Sequence, residues 1–148
     1  MVRAVLGVIG SYILMFILAF AAFTCAYVVL GADQAFRPHS FQASKRWILM
    51  SYGIQLVVGV VGGFVCALIA KGGKAPLVLA GVVLVLGIAL NAVALAVKPV
   101  VPDQARPANV PMMEAMQKAK LPVWVPFTYP IMGAIGVLVG GSLKKKKA

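Results

Sequence analysis

Four stretches of the chain carry no charged side chain: Ala4–Ala32, Trp47–Ala70, Ala75–Val97 and Leu121–Leu143. Each is longer than the roughly 20 mostly apolar residues that a helix needs to cross a bilayer. Backbone groups in hydrocarbon must be satisfied internally, which leaves helices or a closed barrel. Barrel strands alternate over about ten residues, whereas these runs are continuously apolar. The pattern predicts an all-α, integral membrane four-transmembrane-helix bundle, one domain over residues 1–148. Composition points the same way. With 62% apolar and 11% charged residues, the chain is neither an ordinary soluble domain nor a disordered one. Two cysteines are too few for a disulfide scaffold.

The first stretch imitates a signal peptide, with Arg3, an apolar run and Ala19-Phe20-Ala21. The run continues to Leu30, past the roughly 7–15 residues of an h-region, so an uncleaved first helix is expected. An even number of spans puts both termini on one side, with Arg3, Lys71, Lys74 and Lys144 to Lys147 hard against helix ends. The other basic residues are spread over two longer outer loops, 33–46 and 98–120. The denser flanks place the N and C termini in the cytoplasm. Tyr27, Phe36, Phe41, Trp47, Tyr52, Trp124, Phe127 and Tyr129 crowd the opposite edge, as interfacial aromatics do. Cys25 and Cys66 fall at depths differing by roughly 20 Å, too far apart for a disulfide.

Helices in lipid associate through small residues that let backbones approach. Gly59, Gly63 and Ala67 recur at four-residue spacing, as do Gly136 and Gly140; the first helix has Gly7 with Ser11 and Ala22 with Ala26. A compact bundle is expected. A faint repeat accompanies this: Trp47 precedes Gly59-x-x-x-Gly63, and Trp124 precedes Gly136-x-x-x-Gly140, by the same twelve residues. Chance or shared membrane grammar accounts for that better than duplication does. Pro130 removes a backbone hydrogen bond to Pro126. A bent or loosened first turn is therefore expected in the fourth span, with Thr128 helping to satisfy freed backbone groups.

A polar layer lies below the aromatic edge. Gln55, Asn91 and Thr24 fall at one depth, with Ser51, Tyr52, Thr128 and Tyr129 just above. Unpaired amides in hydrocarbon are costly, so these groups should face inward. Interhelical bonding, with Gln55 and Asn91 as a pair, is favoured over the polar end of a small pocket. His39, in the first outer loop, reads as a solvated side chain or as an axial ligand to a haem or chlorophyll metal. His39, Gln55, Asn91 and Tyr52 are thus the candidate contacts for a bound lipid, quinone or (bacterio)chlorophyll, with no resident cofactor expected. In the second loop, residues 112–120 read as a short interfacial helix with Met112, Met113 and Met116 on its apolar face. That face suits a partner surface; a soft-metal role for so few thioethers is disfavoured.

No ionisable residue lies inside any span, which argues against a proton-coupled transporter. No catalytic set or metal cluster is visible, so an enzyme is not expected. The net charge of +11 flanks the spans and suggests membrane lipids rather than nucleic acid. Lys144, Lys145, Lys146 and Lys147 should meet anionic head groups. The outline resembles small uncharacterised bacterial inner-membrane proteins. It shares with them four helices, a first helix ending near Tyr27–Asp33, and the Met-Glu-Ala-Met-Gln segment Met113–Gln117 before the last helix. The resemblance implies a bacterial inner (plasma) membrane and no activity. The expected function is an accessory or scaffold subunit of a larger respiratory or photosynthetic complex. It would dock through Gly59, Gly63, Gly136 and Gly140 and the methionine surface. The alternative is a free-standing channel or carrier for an uncharged solute.

Overall fold

The computed structural model describes residues 1–38, 42–71, 73–97 and 122–147. Among these residues the fold is helical, with α1 Val2–Leu30, α2 Ala32–Ala35, α3 Lys45–Ile69, α4 Ala75–Val97 and α5 Val125–Lys147. Four of these helices are long and apolar enough to cross a membrane, and they overlay the four uncharged stretches. The expected helix at 112–120, with Met112, Met113 and Met116, lies outside the described residues, as does His39.

Local signals set the helix ends. α1 stops at Gly31, whose φ of 74° suits glycine, and the Gly31 amide donates to the Tyr27 carbonyl. α3 starts at Ser44, whose Oγ accepts from the Trp47 amide at 3.1 Å and donates to the Gln34 carbonyl at 2.5 Å. One isolated antiparallel bridge, Phe36 to Ala43, closes the intervening loop. The Ser44 amide also reaches the Ala35 carbonyl at 2.9 Å. The described residues on either side of 39–41 are therefore tied together, with Ala35, Phe36 and Ala43 buried.

α3 and α5 run parallel in close contact, and this pair is the centre of the fold. A methyl group placed on Gly59 would lie 2.5 Å from the Gly133 carbonyl oxygen and 3.0 Å from the Gly136 Cα. One placed on Gly136 would lie 2.5 Å from the Leu56 carbonyl oxygen and 3.0 Å from the Gly59 Cα. Lower down, a side chain on Gly63 would run into the Val137 carbonyl, and one on Gly140 into the Val60 carbonyl. The two glycine motifs thus face each other across one seam of backbone against backbone, a geometry that only small residues allow.

The other two long helices pack antiparallel on the outside of this pair. On α1, Gly7, Ser11 and Met15 are buried, with Met15 seated against Gly62 and Gly7 near the Cys66 carbonyl and Ala70. Ala22 and Ala26 are only half-buried. On α4, Gly87 receives the ring of Pro130 and Pro76 packs against Gly141. Most other side chains of α1 and α4 point outward, among them Leu6, Ile13, Phe16, Leu90 and Val93. Both cysteines are free, Cys66 buried and Cys25 exposed, as their differing depths required.

Candidate functional site

Just inside the tryptophan end of the α3–α5 seam, the hydroxyls expected in a polar layer meet. Tyr52 Oη and Thr128 Oγ1 are 2.6 Å apart. The rings of Tyr52 and Tyr129 meet edge-on, with centroids 5.5 Å apart. Each short hydroxyl also leans on its own helix, Ser51 on the Trp47 carbonyl and Thr128 on that of Val125, at 2.7 and 2.6 Å. Beside this cluster Trp47 contacts Phe23 and Tyr27 of α1, at centroid distances of 6.1 and 6.2 Å.

These contacts expose a repeat longer than the tryptophan and glycine spacing showed. Every residue of the second copy lies 77 positions after its twin: Trp47 and Trp124, Ser51 and Thr128, Tyr52 and Tyr129, Gly59 and Gly136, Gly63 and Gly140. The packing obeys the same rule. Gly59 faces Gly133 where Gly136 faces Leu56, and Gly63 faces Val137 where Gly140 faces Val60. α3 and α5 are a quasi-twofold pair within one chain. The hydroxyl-aromatic step after each tryptophan was legible in the sequence and is the signal that would have found it.

Asn91 and Gln55 do not bond to each other. Asn91 Nδ2 donates to the Gly87 carbonyl at 2.8 Å and to the Pro126 carbonyl at 2.7 Å. Pro130, inside α5, has no amide hydrogen for the Pro126 carbonyl, and the asparagine supplies one from the neighbouring helix. Thr128 does not fill that role; it bonds to Val125. α5 consequently runs unbroken from Val125 through Pro130, rather than starting in a loosened turn. Gln55 Oε1 is buried with no hydrogen-bond partner, as is Ser11 Oγ. Thr24 stays outside the layer, bonded to the Phe20 carbonyl of its own helix at 2.7 Å.

A groove of about 610 Å³ opens at the tryptophan end. Arg37 and Lys45 stand at its rim, Ile48, Leu49, Tyr52 and Trp124 form much of its wall, and among the described residues no carboxylate lines it. At the other end of the seam Lys144 Nζ donates to the Ala67 carbonyl at 2.8 Å, where the last turn of α3 carries unpaired carbonyls and negative dipole charge. Among the described residues no group of three or more His, Cys, Asp or Glu comes together. Comparison with protein-family models, curated proteins and solved structures finds no match.

Proposed function

We propose that the chain is a non-enzymatic, multi-pass membrane protein that serves as an accessory subunit of a larger inner-membrane assembly, with both termini in the cytoplasm. The observation that carries this reading is the division of the surface. The middle of the bundle is a seam of backbone against backbone. The apolar faces of α1 and α4 are left open: only Gly7, Ser11 and Met15 of α1 are buried. A water-soluble monomer rarely exposes apolar patches beyond a few hundred Å², whereas lipid and partner helices are natural neighbours of such faces.

The polar side chains support the same reading. Tyr52, Thr128 and Asn91 spend their hydrogen bonds tying helices together, which suits a scaffold better than a reaction centre. Gly59, Gly63, Gly136 and Gly140 are consumed by the internal seam, so docking falls to α1, α4 and the loop methionines. Respiratory and photosynthetic complexes are the assemblies in view, and lipid, quinone or pigment would sit between subunits.

Native electrophoresis of membranes solubilised in mild detergent tests the proposal. Migration of the chain with a complex several times its own mass of 15.5 kDa is the expected result. Migration as a small homo-oligomer would favour the channel or carrier reading and overturn the subunit reading.

A further inference from the structure

The quasi-twofold relation makes one face of α3 conspicuous. On α5, Pro130 and Ala134 are buried, and Gly87 of α4 lies against the Pro130 ring. Their twins on α3 are Gly53 and Val57, and both are exposed, Val57 at 61%. A methyl group on Gly53 would meet nothing within 4 Å. One long exposed row thus runs down α3 at four-residue spacing: Lys45, Leu49, Gly53, Val57 and Val61. Its upper end, Lys45 and Leu49, is also the wall of the 610 Å³ groove whose rim carries Arg37.

We propose that this groove and row bind one anionic phospholipid. The phosphate sits between Arg37 and Lys45, and an acyl chain lies along Leu49, Gly53 and Val57. The proposal rests on the membrane reading above and adds a ligand to it. Charge complementarity selects the occupant: among the described residues two cations and no carboxylate line the cavity, which favours an anion at that end. The wall changes from cationic to aromatic to aliphatic in the order head group, interface, tail. The distance also fits. Twelve residues separate Lys45 from Val57, about 18 Å of helix, comparable with one leaflet of a hydrocarbon core about 30 Å thick. The missing side chain at Gly53 leaves a trough where the twin row on α5 holds a proline ring.

The experiment uses the full chain purified in mild detergent, with native mass spectrometry after addition of phosphatidylglycerol, phosphatidylcholine or inorganic phosphate. One phosphatidylglycerol per chain should be retained, with phosphatidylcholine and phosphate washed away. Arg37→Ala with Lys45→Ala should weaken retention by about thirtyfold, the effect of two basic side chains at a head group. Lys71→Ala with Lys74→Ala, at the opposite end, should leave it unchanged. Gly53→Leu, which has open space to enter, should lower retention with the fold intact. Equal retention of phosphatidylcholine, or indifference to the Arg37 and Lys45 changes, would overturn the site. So would saturation by phosphate alone, or cross-linking of position 57 to another polypeptide instead of lipid. Alkaline carbonate separates the two levels. Release of the chain from membranes overturns the membrane reading and the site together, while a carbonate-resistant chain that fails the lipid assay overturns the site alone.

Discussion

α3 and α5 lie side by side with Trp, a hydroxyl, Tyr and two glycines at matching positions, yet α5 has its second face covered and α3 has it open. The shared glycines and tyrosines lie along the seam, where backbones touch and little variation is possible, while Trp47 packs on α1 and Trp124 is exposed. The differing residues point away from it. Where α5 has Pro126 and Pro130, α3 has Leu49 and Gly53. The prolines create an unpaired carbonyl and a projecting ring, and α4 answers both, with Asn91 for the carbonyl and Gly87 for the ring. α3 creates no such demand and gains no such neighbour. Internal packing therefore fixes what the two helices have in common, and external packing fixes what separates them.

Substitutions at twin glycines should break this contrast most sharply. Gly63→Leu or Gly140→Leu drives a side chain into a backbone carbonyl of the facing helix, and backbone cannot step aside as a side chain can. A loss of about 3 kcal/mol or more, or failure to assemble, is expected for either. Gly53→Leu, on the same helix as Gly63 but on the open face, should leave thermal unfolding in detergent essentially unchanged. Equal tolerance at Gly63 and Gly53 would show that the seam does not hold the bundle together.

Asn91→Leu comes next. It strands the Pro126 carbonyl in an apolar setting, at a cost of about 1–2 kcal/mol. Pro130→Ala restores a backbone amide hydrogen one turn below that carbonyl, so in the Asn91→Leu background it should recover part of the loss. In the parent chain the same change removes the ring that fills Gly87. A double-mutant cycle read by thermal unfolding gives the coupling, and additive effects would mean that the asparagine does not serve the proline.

The long apolar runs made the four helices legible, because hydropathy over about 20 residues depends little on tertiary context. The glycine spacing announced close packing, but spacing alone could not say that the α3 motif meets the α5 motif rather than another subunit. The polar layer was placed by depth, and depth carries no information about direction around a helix. Depth alone groups Thr24, which bonds to its own helix, with the layer, and pairs Gln55 with Asn91, whose partners are main-chain carbonyls. The true partner of Asn91 is a main-chain oxygen, invisible to a search for complementary side chains. Pro130 nonetheless pointed to it, since a proline frees the carbonyl four residues earlier. The described ends of the 33–46 loop hid their structure because they are held by one serine and a few main-chain bonds.

Gln55 offers a smaller effect of opposite sign. Its Oε1 is buried without a partner, and its twin on α5 is Met132. Gln55→Met removes an unsatisfied acceptor at similar length, and stabilisation of about 1 kcal/mol is expected. Destabilisation would show that the amide has a partner in the membrane, such as a bound ligand.

The finest test concerns the two tyrosines. If the quasi-twofold axis is an energetic fact as well as a geometric one, Tyr52→Phe and Tyr129→Phe should cost nearly the same. Tyr52→Phe removes a hydroxyl that reaches Thr128 of the opposite helix, and under the twofold relation the Tyr129 hydroxyl stands to Ser51 in the same way. Each change leaves the edge-on ring contact intact. The short hydroxyls keep their bonds to their own helices, to the Trp47 and Val125 carbonyls, so no buried donor is stranded. The cost per tyrosine should therefore stay near the 0.6 kcal/mol or so typical of hydrogen bonds between membrane helices. Unfolding midpoints of the two single variants, measured in the same detergent, should agree with each other, and the double variant should lose about twice as much. A loss confined to Tyr52→Phe would mean that the twofold relation governs the glycines below and ends at the aromatic layer.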